Sequence, residues 1–186
     1  SVWARARLAG GYGSRRRGEA QAEGQALLPA PLTGQVVEVM PWGGTSTAAL
    51  CGHLGEEARL SVAELSPHNL GFIRERLARE GVDMNRLSFD LMGYVRLPYE
   101  DMSVDTVVLP QVLEHMPEPE AMLDEVTRVL KPGGAVVVSV RNMASGYGRL
   151  WLAEESRGQV PNQGPFTPID AKRVRGWLTE RFDLEQ

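Results

Sequence analysis

Acidic and small residues stand where several predicted strands end, at positions where a folded sheet would bring them to one ligand. Glu38 lies in the first apolar run with the Gly43-Gly44 pair behind it, Glu64 ends the second run, and Asp90 ends the third. A carboxylate in such a place can accept two hydrogen bonds from a ribose diol. Glycine allows the backbone to approach a ligand closely. The pattern therefore predicts a site for a ribose-containing ligand.

The elements that must position these residues alternate between strand and helix patterns. β-branched runs predict strands at 35–39, 59–64, 86–89, 104–109 and 135–140, and apolar residues at helical spacing predict helices that begin at 45, 67, 119 and 168. Near-continuous valine runs are typical of strands buried on both faces of a parallel sheet. Parallel sheets of this kind bind ligands at the carboxyl ends of their strands. An α/β fold with its site at that edge is expected.

Composition and charge set the broad class. The chain has 186 residues, of which 42% are hydrophobic and 24% are charged, and its net charge is −4. These values are typical of one packed soluble domain. Residues 1–34 are rich in glycine and proline and carry Arg15, Arg16 and Arg17, so we expect a flexible arm or lid there, followed by a domain over 35–186.

The same composition disfavours several partners. No apolar stretch reaches the roughly 20 residues that span a bilayer, so we expect no membrane association. An acidic body disfavours nucleic acid. One cysteine and three histidines offer neither an internal disulfide nor a convincing metal site, which favours a cytoplasmic location.

Three further motifs carry a family resemblance. They are Leu97-Pro98-Tyr99-Glu100-Asp101-Met102-Ser103-Val104-Asp105-Thr106-Val107-Val108, then Val112-Leu113-Glu114-His115-Met116-Pro117-Glu118-Pro119, then Leu130-Lys131-Pro132-Gly133-Gly134. With the order of strands and helices, they resemble the class I S-adenosylmethionine-dependent methyltransferases of the type 11 small-molecule group. The resemblance implies a Rossmann-like three-layer sandwich with a mostly parallel central sheet. It also implies S-adenosylmethionine as the cofactor and methyl transfer to a small molecule.

The resemblance assigns roles to individual residues. Glu64 would hold the ribose hydroxyls, the Gly43-Gly44 turn would approach the methionine moiety, and Gln111 would lie near the transferring methyl group. The implied cofactor-binding set is Glu38, Gly43, Gly44, Glu64, Leu65, Asp90, Leu91 and Gln111, of which Asp90 and Leu91 would border the adenine. His115 is the candidate catalytic base because the ordinary pKa of histidine, about 6.5, suits proton abstraction. The alternative is that His115 only caps or packs the segment after the fourth strand.

The loop after the first strand departs from the family pattern. Members carry an acid followed by glycines two, four and six positions later, and the corresponding residues here are Met40, Trp42 and Gly44. The indole of Trp42 would either stack on a ligand as part of a lid or plug the site. The second case gives the alternative function, an inactive methyltransferase scaffold that acts as a binding or assembly partner. A nicotinamide dehydrogenase fits less well because no Gly-x-Gly-x-x-Gly opens the first helix.

The carboxyl-terminal third carries two further expectations. Tyr147, Trp151 and Phe166 lie in a region predicted to be irregular, where the family places its substrate-binding insertions. Only 182–184 reads as a strand after the last helix, whereas the family closes its sheet with a sixth strand and an antiparallel seventh. The carboxyl-terminal strand pair should therefore be incomplete, leaving an open edge after the fifth strand. A truncated domain, or a homo-oligomer formed through this edge, would follow.

Overall fold

The computed structural model describes residues 5–10, 31–141, 146–157 and 166–184. In chain order the elements are β1 (Arg5–Gly10), β2 (Gln35–Val39), α1 (Thr45–Cys51), β3 (Arg59–Glu64), α2 (Pro67–Arg79), β4 (Leu87–Leu91), β5 (Val104–Pro110), α3 (Pro119–Val129), β6 (Leu130–Val140), α4 (Gly146–Ser156), α5 (Ala171–Thr179) and β7 (Asp183–Leu184). Short 3₁₀ helices cover Met84–Arg86 and Leu113–His115. The predicted order of strands and helices from β2 to α3 is confirmed.

The strands form one sheet in the order β4-β3-β2-β5-β6-β1-β7, and every pair in it is parallel. From β2 the chain builds outward through β3 to β4, then crosses back to place β5 on the other side of β2. The strand order therefore reverses between β2 and β5. A crevice at the carboxyl ends of these two strands is the expected ligand site of such a sheet.

Apolar helices cover both faces of the sheet. On one face, α3 and α5 pack Leu123, Val126 and Leu178 against the valines of β5 and β6. On the other, Ile73 and Leu77 of α2 pack on β3. The helical spacing of apolar residues in α3 places them all on its buried side, as predicted. The Rossmann-like three-layer sandwich is confirmed.

The amino-terminal segment departs from the expectation of a free arm. Residues 5–10 form β1, which pairs with β6 from Arg5↔Ala135 to Gly10↔Val140. Leu32 is fully buried, and its segment bridges to Leu54. Backbone hydrogen bonds and one buried leucine hold these two stretches, although residues 1–34 as a whole were expected to form a flexible arm or lid. Residues 11–30, with Arg15 to Arg17, lie outside the described residues, and the lid role stays a prediction.

Among the described residues, β7 comprises Asp183–Leu184 and pairs in parallel with β1, so the described part of the sheet has no antiparallel carboxyl-terminal strand pair, as predicted. The prediction of an open edge after the fifth predicted strand, which is β6 in the structure, is wrong. β1 lies between β6 and β7 and satisfies the backbone groups of β6 over residues 135–140. An unpaired edge accepts any extended segment that reaches it, and here a segment distant in sequence does so.

Two local predictions also need correction. The strand predicted over 135–140 begins earlier: α3 ends at Val129, and β6 starts at Leu130 and includes Lys131-Pro132-Gly133-Gly134. The pairing of β6 with β5 shifts register between Val104 and Thr106, and Gly133 takes a positive φ of 78° in this irregular stretch. The region after β6 contains α4 instead of being wholly irregular. Within the part of the chain that the structure describes, no helix is both long and apolar enough to cross a membrane.

Candidate functional site

The loop after β2 has an unusual backbone, and we call residues 40–44 the first loop. Met40, Trp42 and Gly44 all lie in the left-handed region, with φ of 49°, 56° and 76°. The N–H of Met40 donates to the Ala63 carbonyl oxygen at 2.8 Å. A side chain in this region is disfavoured by roughly 1–2 kcal/mol per residue relative to ordinary backbone. The first loop thus keeps a glycine-type conformation although two of these three residues are not glycine.

Glu38 lies beneath the first loop. Its side chain is fully buried, and its Oε2 accepts a hydrogen bond from Thr47 Oγ1 of α1 at 2.6 Å. Among the described residues, none donates a hydrogen bond to its Oε1. Burial raises the pKa of Glu38 from 4.5 to about 7. Glu38 therefore braces the start of α1 from inside the core and presents no surface to a ligand.

The buried carboxyl of Glu38 predicts a pH dependence of stability. A raised folded-state pKa means that the native protein binds the proton more tightly than the unfolded chain. The stabilisation is complete below about pH 4.5 and is lost as the pH rises through about 7. The free energy of unfolding in urea should therefore fall by about 2–3 kcal/mol between pH 5 and pH 8 on account of Glu38, and Glu38→Gln should abolish this part of the decline. Equal declines in the variant and the native chain would contradict this assignment.

Glu64 ends β3 and is held at the start of α2. Its Oε1 accepts from the N–H groups of Leu65 at 2.8 Å and Ser66 at 3.4 Å, and its Oε2 accepts from Asn69 Nδ2 at 2.8 Å. The residue is 5% exposed. A carboxylate has about four acceptor positions, so three internal donors leave capacity for a hydroxyl. The oriented carboxylate of Glu64 fits one ribose hydroxyl of the predicted cofactor. The N–H of Leu65 helps to orient this carboxylate.

The end of β4 lies beside Glu64 and offers apolar surface. Leu91 pairs with Glu64 in the sheet register, and Leu91 is 56% exposed. Asp90 accepts hydrogen bonds from Tyr99 Oη at 3.1 Å and Ser88 Oγ at 3.0 Å. Burial, together with the charge of Asp90, raises the pKa of Tyr99, so its hydroxyl stays a donor. Leu91 thus fits the face of an adenine ring, whereas the Asp90 carboxylate is engaged by Tyr99.

Gln111 follows β5 and also has a positive φ, of 55°. Its N–H donates to the Ser139 carbonyl oxygen at 3.0 Å, and its Oε1 accepts from Arg141 Nε at 3.2 Å. The Arg141 N–H donates to Oε1 of Glu114 at 2.8 Å. Burial raises the pKa of Glu114. These contacts connect the carboxyl ends of β5 and β6 and orient the Gln111 amide.

Three aromatic rings lie in contact at the carboxyl ends of β2 and β5, and we call Trp42, His115 and Phe166 the aromatic cluster. The ring centroids of Trp42 and His115 are 4.6 Å apart in an edge-on arrangement, and those of His115 and Phe166 are 5.4 Å apart. The Arg141 guanidinium lies 5.4 Å from the Phe166 ring centroid. His115 is 5% exposed and Trp42 is 38% exposed. Trp42 is therefore the outermost member, and His115 lies behind it.

The predicted set falls into two groups. Glu64, Leu65 and Leu91 lie at the ends of β3 and β4, while the first loop, Gln111 and His115 lie just after β2 and β5. Glu38 is buried below both groups. Arg76 contacts the first loop and Arg141 contacts Gln111. Neither arginine stands in a recognisable motif, so the sequence did not indicate them. Phe166 joins the aromatic cluster, whereas the side chains of Tyr147 and Trp151 lie outside the described residues.

Comparison with protein families matches residues 42–138 to the Methyltransferase domain family. A demethylmenaquinone methyltransferase of Clavibacter sepedonicus is 36% identical over 110 residues, which are 59% of this chain and 42% of that protein. An uncharacterised methyltransferase of Schizosaccharomyces pombe is 30% identical over 157 residues, which are 80% of this chain and 56% of that protein. The chain thus spans about half the length of these two relatives.

The fold also matches solved structures. The crystal structure of a SAM-dependent methyltransferase from Aquifex aeolicus superposes with a TM-score of 0.61 at 16% identity, covering 80% of this chain and 71% of that one. At this identity the likeness concerns the fold. It agrees with the parallel sheet and its flanking helices.

Proposed function

We propose that this chain, which belongs to the class I S-adenosylmethionine-dependent methyltransferases, transfers a methyl group to a small-molecule acceptor. The observation that carries the proposal is the arrangement at the carboxyl edge of the sheet. A first loop in glycine-type conformation lies beside an oriented carboxylate, Glu64, and an exposed apolar side chain, Leu91. Together they fit the amino-acid, ribose and adenine parts of one nucleoside cofactor.

S-adenosylmethionine is the cofactor. When bound, it supplies a methyl group on a sulfonium that is already activated toward a nucleophile. Glu64 would hold the ribose, Leu91 would cover the adenine, and the first loop would receive the methionine part. Gln111, fixed by Arg141 and Ser139, would border the methyl group. The main task of these residues is to orient and to exclude water.

The acceptor would enter beside the aromatic cluster. Trp42 and Phe166 offer flat apolar walls, and Arg141 adds a cation at the Phe166 ring. If the acceptor must lose a proton, His115 would accept it. His115 lies behind Trp42, so the indole would first have to move aside. The demethylmenaquinone methyltransferase among the relatives supports a small-molecule acceptor.

The second candidate function is an inactive scaffold that serves as a binding or assembly partner. The contact of Trp42 with His115 favours it, because the indole lies across the crevice from the first loop to the end of β5. In that case the aromatic cluster would permanently block the cofactor site, and the carboxyl edge of the sheet would bind no cofactor.

Isothermal titration of the chain with S-adenosylhomocysteine separates the two functions. We expect saturable one-to-one binding. No heat of binding at millimolar ligand would overturn methyl transfer and favour the scaffold. Thermal shift measurement under the same conditions should show stabilisation that grows with ligand concentration.

A further inference from the structure

A residue of α2 reaches the first loop from outside the predicted site. Arg76 Nη1 donates to the Gly43 carbonyl oxygen at 2.6 Å and to Thr45 Oγ1 at 2.7 Å. Its Nε donates to Glu80 Oε1 at 2.8 Å, one turn further along the chain. One guanidinium therefore joins the first loop, the first residue of α1 and the end of α2. Its side chain is 31% exposed.

The first loop needs such a support. Met40 and Trp42 hold φ values that favour glycine, so the loop would relax toward ordinary backbone if nothing opposed it. Helix α1 has only seven residues, and no side chain caps its amino end. A charged donor on a carbonyl oxygen is among the stronger hydrogen bonds of a protein. Arg76 supplies one at Gly43, next to the residues in the disfavoured conformation.

Packing shows that the loop is pressed against α2 at this point. A Cβ added to Gly44 would lie 2.9 Å from Ile73 Cγ2, and one added to Gly43 would lie 3.6 Å from Arg76 Nη1. The backbone of the first loop thus lies directly on α2. Ile73 supports Gly44 from below, and Arg76 fixes Gly43 from the side.

We propose that Arg76 is a positioning residue, which holds the first loop in the left-handed conformation that the cofactor requires. The inference rests on the proposed function, since it concerns the same cofactor. Arg76 need not touch the cofactor; it acts through the Gly43 carbonyl and Thr45, and Glu80 orients its guanidinium.

Helix α2 offers a matched control. Arg79 lies three residues further on and pairs with Glu75 at 3.1 Å, and its side chain is 80% exposed. Both arginines lie in the last turn of α2, so both interact similarly with the helix dipole. Arg76→Gln and Arg79→Gln therefore remove the same charge from the same helix end. Only the first removes a contact with the first loop.

The first measurement uses the ligand-free protein. Hydrogen-deuterium exchange of a peptide over residues 39–46 should be about tenfold faster in Arg76→Gln than in the native chain. Arg79→Gln should leave it unchanged, and Arg76→Lys should lie between. Equal exchange in Arg76→Gln and Arg79→Gln would overturn the proposal. Exchange in β5 and α3 serves as the check that the variants are folded.

The second measurement asks whether Arg76 acts through the backbone of the first loop. Arg76→Gln should weaken S-adenosylhomocysteine binding by about tenfold. Where Met40→Gly and Trp42→Gly are already present, the same change should weaken it by less than about threefold, because glycine needs no support at positive φ. An equal loss in both backgrounds would overturn the mechanism.

Failure of this inference and failure of the proposed function give different results. A native chain that binds no S-adenosylhomocysteine rejects the proposed function, and the exchange measurement still decides whether Arg76 holds the first loop. A native chain that binds, with Arg76→Gln indistinguishable from Arg79→Gln in affinity and exchange, rejects Arg76 alone.

Discussion

Replacing Glu64 by glutamine is expected to weaken S-adenosylhomocysteine binding by about 100-fold, equivalent to about 3 kcal/mol. The carboxylate of Glu64 is held by Leu65, Ser66 and Asn69 with acceptor capacity to spare. A glutamine amide retains the shape but has one acceptor oxygen, and its NH₂ group would face another donor. The loss should appear directly in the dissociation constant measured by isothermal titration.

The control for this variant is Glu75→Gln, which removes the same charge from an exposed position on α2. It should leave the dissociation constant unchanged. The melting temperature of Glu64→Gln without ligand shows how far the substitution disturbs the turn between β3 and α2, where Glu64 also accepts internal hydrogen bonds. A Glu64→Gln protein that binds within threefold of the native chain would remove Glu64 from the cofactor site.

The double change Met40→Gly and Trp42→Gly is expected to tighten S-adenosylhomocysteine binding by about 30-fold, equivalent to about 2 kcal/mol. Both residues already adopt the backbone that glycine prefers, so the first loop should keep its shape. Removing the indole would abolish its contact with His115 and open the crevice between β2 and β5. Titration of both proteins at one temperature measures the gain.

Met102→Gly is the control for the effect of placing glycine at a residue of positive φ outside the first loop. Met102 has a positive φ of 51° and is 55% exposed. Met102→Gly should therefore relieve a similar conformational cost without changing ligand affinity. Unchanged or weaker binding in the double variant would mean that Trp42 does not block the crevice but covers the bound ligand. Binding that appears only in the double variant would identify the native chain as a plugged scaffold.

The sequence determined the three layers and the succession of strands and helices along the chain from β2 to β6. Consecutive valines such as 36–37 and 136–138 point to opposite faces of the sheet, and all of them are buried, as expected for strands covered on both faces. Ser66 followed by Pro67 predicts a helix start, and Ser66 Oγ accepts from the Asn69 N–H at 3.3 Å. The valine runs and the Ser66-Pro67 pair are local signals, because these residue types favour a strand or a helix start whatever the rest of the chain does.

The position of β1 was decided only by the tertiary structure. β1 and β6 are about 130 residues apart in the sequence and pair through their backbone N–H and C=O groups. Nearly every residue type carries these groups, so the pairing leaves little signal in the sequence. Glycine and proline beyond residue 9 pointed to an arm, and nothing in residues 5–10 indicates which edge they join. A local pattern cannot specify a distant partner when the backbone makes the contact.

The candidate site divides in the same way. Glu64 could be predicted because it ends a buried strand, and the ends of parallel strands meet at one edge. The left-handed backbone at Met40 and Trp42 could not be predicted from residue type, since methionine and tryptophan disfavour it. That conformation depends on contacts from elsewhere: the Ala63 carbonyl, the Ile73 side chain and the Arg76 guanidinium, 33 residues from Gly43. Residue types thus determined which edge of the sheet carries the candidate site, and packing between distant segments decided the shape of that edge.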